Sequence, residues 1–220
     1  IGGVGGTAFF RFSSSPFRSA SFALSASASV FFSTSAGGRK NGASLCCSMK
    51  AALFAERHPE RVARLALDAF VWTGEGSPTL AERRKKLPEF QSKHRRPIDR
   101  AFVHSIFDRD HPGTADEATI NAFSDAILAL DDSVPTGTYV DMCSKLPLVE
   151  PAKITAPTII MRGEFDGIAG FDDLIEFFKR LPNPDKQFAV MAGIAHASFQ
   201  QKNYLSVYHN WPGFFSLNGL

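Results

Sequence analysis

Two short apolar runs constrain most strongly what this chain can fold into. Residues 157–167 read P-T-I-I-M-R-G-E-F-D-G, and residues 188–196 read F-A-V-M-A-G-I-A-H. Short continuous apolar runs bounded by turn formers read as strands buried in a sheet. Each run gives way to small residues and then to one titratable group, Asp166 or His196. An acid and a histidine at the C-terminal ends of successive buried strands are two members of a nucleophile–histidine–acid triad. In that arrangement His196 is the general base, and Asp166 fixes the imidazole tautomer and stabilises the imidazolium. Gly163 and Gly167 flank the acid and Gly193 precedes the histidine, as two sharply turning loops require. Taken singly, Asp166 also reads as a turn residue before a helix and His196 as a loop histidine. Their joint placement favours the triad. Glu164 reads as a solvated turn residue.

The chain has two unlike parts. Residues 1–48 hold twelve serines and seven phenylalanines and no acid. They show no helical or strand period. This segment reads as a transit-peptide-like leader, as sequence foreign to the fold, or as an unusual first part of the domain. The first two readings predict disorder over 1–48. From Met49 the chain becomes locally consistent, and 49–220 form the expected domain. Residues 49–58 have apolar groups at helical spacing, and Pro59 ends them. A strand is expected over 61–72, then a loop at Gly74, Gly76 and Pro78. Helices are expected over 79–87, 97–107 and 115–130, a strand over 158–161, and a helix over 171–181. A further strand covers 187–191. A last helix covers 202–210, broken by Trp211-Pro212-Gly213. Strands alternating with helices predict an α/β fold with a parallel sheet. A sheet built only from these later strands would leave a buried edge unpaired.

These residues carry a family resemblance. The stretch A-A-L-F-A-E-R-H-P-E-R-V, residues 51–62, resembles the helix after the nucleophile elbow of α/β-hydrolases and the lead into the next strand. The P-T-I-I-M-R-G-E-F-D-G-I-A stretch is similar to the family's acid strand and loop. The L-P-N-P-D-K-Q-F-A-V-M-A-G-I-A-H-A-S-F stretch is similar to its histidine strand and loop. The resemblance runs from about Ser48 to about His209. It implies an α/β-hydrolase sheet, with 79–145 inserted as a helical cap and the N-terminal part of the fold incomplete. It also implies Ser-His-Asp chemistry on a small ester or related acyl compound, without metal or organic cofactor. The family's order of nucleophile, acid and histidine places the nucleophile before Met49. The nearest match to G-x-S-x-G is Gly42-Ala43-Ser44-Leu45-Cys46, with Cys46 where the last glycine belongs. Ser44 is the candidate nucleophile, and Cys46 or Cys47 is a thiol alternative. Ser48 corresponds to a small residue in the first turn of the following helix. The N–H of Leu45 would be one oxyanion donor. Two further readings stay open: a non-catalytic piece of such a hydrolase, and an acyltransferase or C–C bond hydrolase on the same fold.

Other side chains have plainer roles open to them. Arg83, Arg84, Lys85, Lys86, Lys93, His94, Arg95 and Arg96 form basic patches. A phosphate or nucleic-acid role competes there with a solvated helical face, which the interspersed acids favour. His104, Asp108 and His111 match no strong metal spacing. Trp72 and Phe102 read as core or pocket lining. Asp68 ends a strand and could approach the site from the sheet's C-terminal edge. Three cysteines, two of them adjacent, form no disulfide framework, which fits a reducing compartment: the cytoplasm, or an organelle if 1–48 is a leader. No run of about 18 apolar residues occurs, so no membrane span is expected. The expected partner is a small-molecule substrate, not nucleic acid.

Overall fold

A computed structural model describes residues 8–11 and 47–216. In chain order its elements are β1 (Ala8–Arg11), α1 (Cys47–Arg57) and β2 (Arg64–Asp68). A run of short elements follows: α2 (Pro78–Lys85), α3 (Leu87–Ser92), β3 (Arg95–Pro97), α4 (Arg100–Asp108), α5 (Glu117–Leu128), β4 (Ser133–Pro135) and α6 (Gly137–Ser144). The chain then forms β5 (Thr158–Gly163), α7 (Phe171–Arg180), β6 (Lys186–Met191) and α8 (Leu205–Ser216).

The main sheet has the order β1-β2-β5-β6. Strands β2, β5 and β6 are parallel, and β1 pairs antiparallel with β2. Side chains alternate between two apolar layers. Leu65, Leu67 and Ile160 join Met49 and Ala52 of α1 and Leu174 and Phe177 of α7 on one face. Ala66, Ile159 and Met161 join Val207 and Phe214 of α8 on the other. Cover on both faces explains why β2 and β5 read as apolar runs, whereas β6 lies at the end of the sheet with Gln187 and Val190 exposed, so the second run is not the buried strand expected. Each fully buried large aliphatic or aromatic side chain contributes about 1.5–3 kcal/mol.

Two helices start at side-chain caps that the sequence supplies. Ser77 accepts from Leu80 N at 3.1 Å at the head of α2, with Pro78 following it. Asp99 accepts from Phe102 N at 2.7 Å at the head of α4. Such caps are worth about 1 kcal/mol each.

Four local expectations need correction. The strand expected over 61–72 is only Arg64–Asp68, because Ala69 turns the chain out of the sheet at a φ of +49°. Phe70, Val71 and Trp72 are apolar because they enter the core from a loop. The segment between β2 and β5 is not purely helical: β3 and β4 pair within it, and α4 begins at Arg100 instead of 97. The last helix begins at Leu205 and runs through Pro212 instead of ending before it. Proline within a helix costs about 3 kcal/mol. Phe214, 1% exposed and packed beneath the Arg64 guanidinium, offsets that cost by its burial. Within 1–48, Ala8–Arg11 forms a strand on the open edge of β2, so the edge expected to be unpaired is covered.

Candidate active site

Strands β5 and β6 run side by side in parallel, so their C-terminal ends deliver two loops to one edge of the sheet. The first loop carries Asp166 and the second His196. Both side chains are buried. His196 Nδ1 lies 3.0 Å from Asp166 Oδ1 and 3.1 Å from Oδ2. An ionised carboxylate only accepts, so Nδ1 carries the hydrogen, and whenever the ring is neutral the lone pair is on Nε2. Asp166 Oδ1 also accepts from Ile168 N at 2.9 Å and Ala169 N at 3.1 Å. Burial alone would raise the Asp166 carboxyl. The charge and hydrogen bond of His196, helped by those two N–H groups, more than offset it and hold the group at about 2.

Arg162 organises the acid loop. Its guanidinium donates to Ala169 O at 2.7 Å, Gly163 O at 2.8 Å, Asp166 O at 2.9 Å and Glu164 O at 3.0 Å. One planar fork thus gathers the carbonyls on both sides of the acid. Two further contacts fasten this loop to the histidine loop. Phe165 N donates to Ile194 O at 2.9 Å, and Gly193 N donates to Glu164 Oε2 at 2.9 Å. Gly193 turns at a φ of +69°, which favours glycine. Gly163 is needed for another reason: a Cβ there would meet Ile194 O at 2.5 Å. Glu164 is exposed, as a turn residue should be, yet it ties the two loops together.

Asp68 joins this edge from β2. It is 1% exposed, and its Oδ2 accepts from Ser198 Oγ, two residues beyond the histidine. Its carbonyl accepts from Ser48 Oγ of α1 at 2.6 Å. Among the described residues Asp68 Oδ1 has no hydrogen-bond partner. Burial raises its carboxyl to about 7; the Ser198 hydrogen bond opposes this, and the negative charge of Asp166 adds to it.

The segment after α4 closes against both loops. Asp110 accepts from Thr79 Oγ1 at 3.1 Å and from Arg109 Nε at 2.8 Å. Burial pushes the Asp110 carboxyl up, but Arg109 and the charge of His196 bring it below the ordinary range. The His111 ring stacks on Phe165, with centroids 3.8 Å apart. Lys202 N donates to Thr114 O at 2.8 Å.

Asp166 and His196 are therefore brought together. Ser44 lies outside the described residues, with Gly42, Leu45 and Cys46. Ser48 sits buried in the first turn of α1, as the sequence suggested. His104 faces Asn121, with Nε2 3.3 Å from its Oδ1, while His111 stacks on the acid loop. Among the described residues no three groups are placed to hold a metal. Trp72 belongs to the core and donates to Val149 O at 3.0 Å. Arg162, Asp110 and Ser198 escaped sequence reasoning. Only Arg162 carried a signal, as a charge interrupting an apolar strand.

No protein-family model matches the chain, and no curated protein matches it by sequence. Solved structures do match. A soluble variant of monoglyceride lipase from Saccharomyces cerevisiae matches with a TM-score of 0.54 and 17% identity, over 77% of this chain and 58% of that one. MGS-M2, an alpha/beta hydrolase enzyme from a Medee basin deep-sea metagenome library, matches with a TM-score of 0.50 and 16% identity, over 79% and 63%. This chain has the α/β-hydrolase fold. The 2-hydroxy-6-oxo-6-phenylhexa-2,4-dienoate hydrolase of Rhodococcus sp. strain RHA1 matches at 0.52 and 15% identity, over 79% and 62%. The chain spans about three fifths of the length of these α/β-hydrolases, between 58% and 63%. On an α/β-hydrolase sheet, ligands meet the carboxyl ends of the strands, the edge at which Asp68, Asp166 and His196 gather.

Proposed function

We propose that this chain carries the acid and base of a serine hydrolase acting on a small ester or related acyl compound. The supporting observation is the buried Asp166–His196 pair, with Nδ1 held by both carboxylate oxygens and Nε2 left to serve a nucleophile. Ser44 Oγ attacks the acyl carbonyl carbon while its proton passes to His196 Nε2. The tetrahedral intermediate collapses, the bond to the leaving group breaks, and the leaving group takes the proton from Nε2. Water then attacks the acyl-enzyme with His196 again as base, and the acid is released as Ser44 recovers its proton. Asp166 stabilises the transient imidazolium, and the N–H of Leu45 serves the oxyanion. The helical insertion acts as a cap over an apolar substrate pocket. Among fold relatives, one is named a monoglyceride lipase and another a dienoate hydrolase, so the fold alone does not select the scissile bond.

A second reading has its own support. Strand β2 has both neighbours filled, by β1 and β5. The edge of β2 on which a further parallel strand would pair is thus taken, and under this reading the chain holds an acid and a base without a nucleophile. Labelling with a fluorophosphonate serine probe separates the two. Under the first reading the parent chain labels, while Ser44→Ala and His196→Ala do not. An unlabelled parent chain overturns the first reading in favour of the second.

A further inference from the structure

The segment between β2 and β5 carries 11 Lys and Arg side chains against 13 Asp and Glu, and most of its cationic heads are engaged. Arg84 Nη2 donates to Thr73 O at 3.1 Å, and Lys85 pairs with Glu82 at 2.5 Å. Arg95 pairs with Asp131 and Arg100 with Asp125. Arg109 pairs with Asp110 at 2.8 Å. Two arginines differ. Arg83 of α2 and Arg96 of β3 have no carboxylate partner among the described residues, and they converge on one ring. The Arg83 guanidinium lies 5.4 Å and the Arg96 guanidinium 4.7 Å from the centroid of Tyr139. Arg96 also stacks on Phe102 at 4.3 Å. Tyr139 itself is buried, in a cluster with Phe90, Ile98 and Val134.

Cation–π contact supports a guanidinium on a ring but does not neutralise it. Two like charges held near one ring by three different elements repel each other. Burial lowers the Arg83 pKa, Tyr139 opposes this, and the neighbouring guanidiniums of Arg109 and Arg96 lower it further. Among the described residues Arg96 Nε is buried with no hydrogen-bond partner. A pre-stacked fork with an unused donor, beside a second unpaired fork, is the arrangement that recognises a planar or tetrahedral oxyanion.

We propose that Arg83 and Arg96, stacked on Tyr139, form a binding site for the oxyanion group, carboxylate or phosphate, of a small ligand. The ligand's negative charge relieves the repulsion between the two forks, and Tyr139 holds both in place. The site does not depend on a nucleophile, so it stands or falls separately from the hydrolase reading.

The test is calorimetric titration of the full chain with inorganic phosphate, and separately with succinate, at fixed ionic strength. Saturable binding is expected. Arg83→Gln and Arg96→Gln should each weaken it about ten-fold or more, the effect of losing one charge-assisted contact. Lys86→Gln, an exposed neighbour on the same segment, should leave it unchanged. Binding of only one anion assigns the site to that source; binding of both assigns it to the shared oxyanion. Because Arg96 packs on two rings, Arg96→Lys serves if the glutamine variant fails to fold: it keeps the charge, loses the fork, and should still weaken binding. Absence of saturable binding by either anion overturns the proposal. So does equal affinity in Arg83→Gln.

Discussion

Gly163 lies so close to the histidine loop that a Cβ on it would meet the Ile194 carbonyl oxygen at 2.5 Å and the Ala195 carbonyl oxygen at 2.6 Å. The acid strand and the histidine loop are thus in backbone contact, and the Asp166–His196 distance depends on that contact. Gly163→Ala must push one loop from the other. It should destabilise the chain by roughly 1–3 kcal/mol, as overpacking does. Gly213→Ala is the control: it lies inside α8, with nothing within 4 Å of a new methyl among the described residues. That change should be neutral or stabilise by up to about 1 kcal/mol. Urea unfolding of both variants checks the contrast.

Arg162 should matter more than its place at a strand end suggests. Arg162→Met removes the donors to the carbonyls of Gly163, Glu164, Asp166 and Ala169. A loss of about 2–4 kcal/mol is expected, because hydrogen bonds to a charged group are worth roughly 1.5–3 kcal/mol each and the loop relaxes in part. Arg162→Lys should recover little, since an ammonium cannot span four carbonyls. In both variants the His196 imidazole resonances should shift in NMR, because the acid that orients the ring has moved.

Asp166 and acid unfolding are linked. Its folded pKa, about 2, lies below the ordinary carboxylate value near 3.9. A depressed folded value gives stability that is whole above about pH 4 and is lost as pH falls through 2. Asp166→Asn should therefore cost about 2–3 kcal/mol at pH 7, with the gap from the parent closing towards pH 2. Thermal melts across that range read the convergence directly.

Asp68 predicts the opposite slope. Its folded value is raised to about 7. Its contribution is whole below the unfolded value near 3.9 and is lost as pH rises through 7. Asp68→Asn keeps the acceptor for Ser198 but cannot ionise. It should flatten the fall in stability between pH 4 and 7, leaving the variant ahead by about 4 kcal/mol at pH 8 relative to its standing at pH 4. A slope unchanged by the substitution would show that Asp68 ionises freely.

Much of the frame was legible because hydrophobic patterning is local. The runs at 158–161 and 187–191 became β5 and β6, and the 171–181 pattern became α7, within two residues at each end. Pro59 ended α1 as expected. Local signals misled where distant contacts outweighed them. Pro212 reads locally as a helix stop, but Phe214 has a buried place on the sheet face that the continued helix reaches. Residues 69–72 looked like strand because apolar content does not distinguish a strand from a loop entering the core.

The sequence by itself determined that strands alternate with helices in a parallel sheet, that Asp166 and His196 follow two successive strands, and which loops carry them. These follow from apolar run length, turn residues and chain order, all written along the backbone. Tertiary structure alone decided that Asp68 is buried beside Ser198. It also decided that Ala8–Arg11 closes the edge of β2, and that Arg83 and Arg96 meet on Tyr139. Each of these rests on groups from separate segments brought within a few ångströms. Burial and charge then act through space, and no local pattern in the chain encodes such a distance.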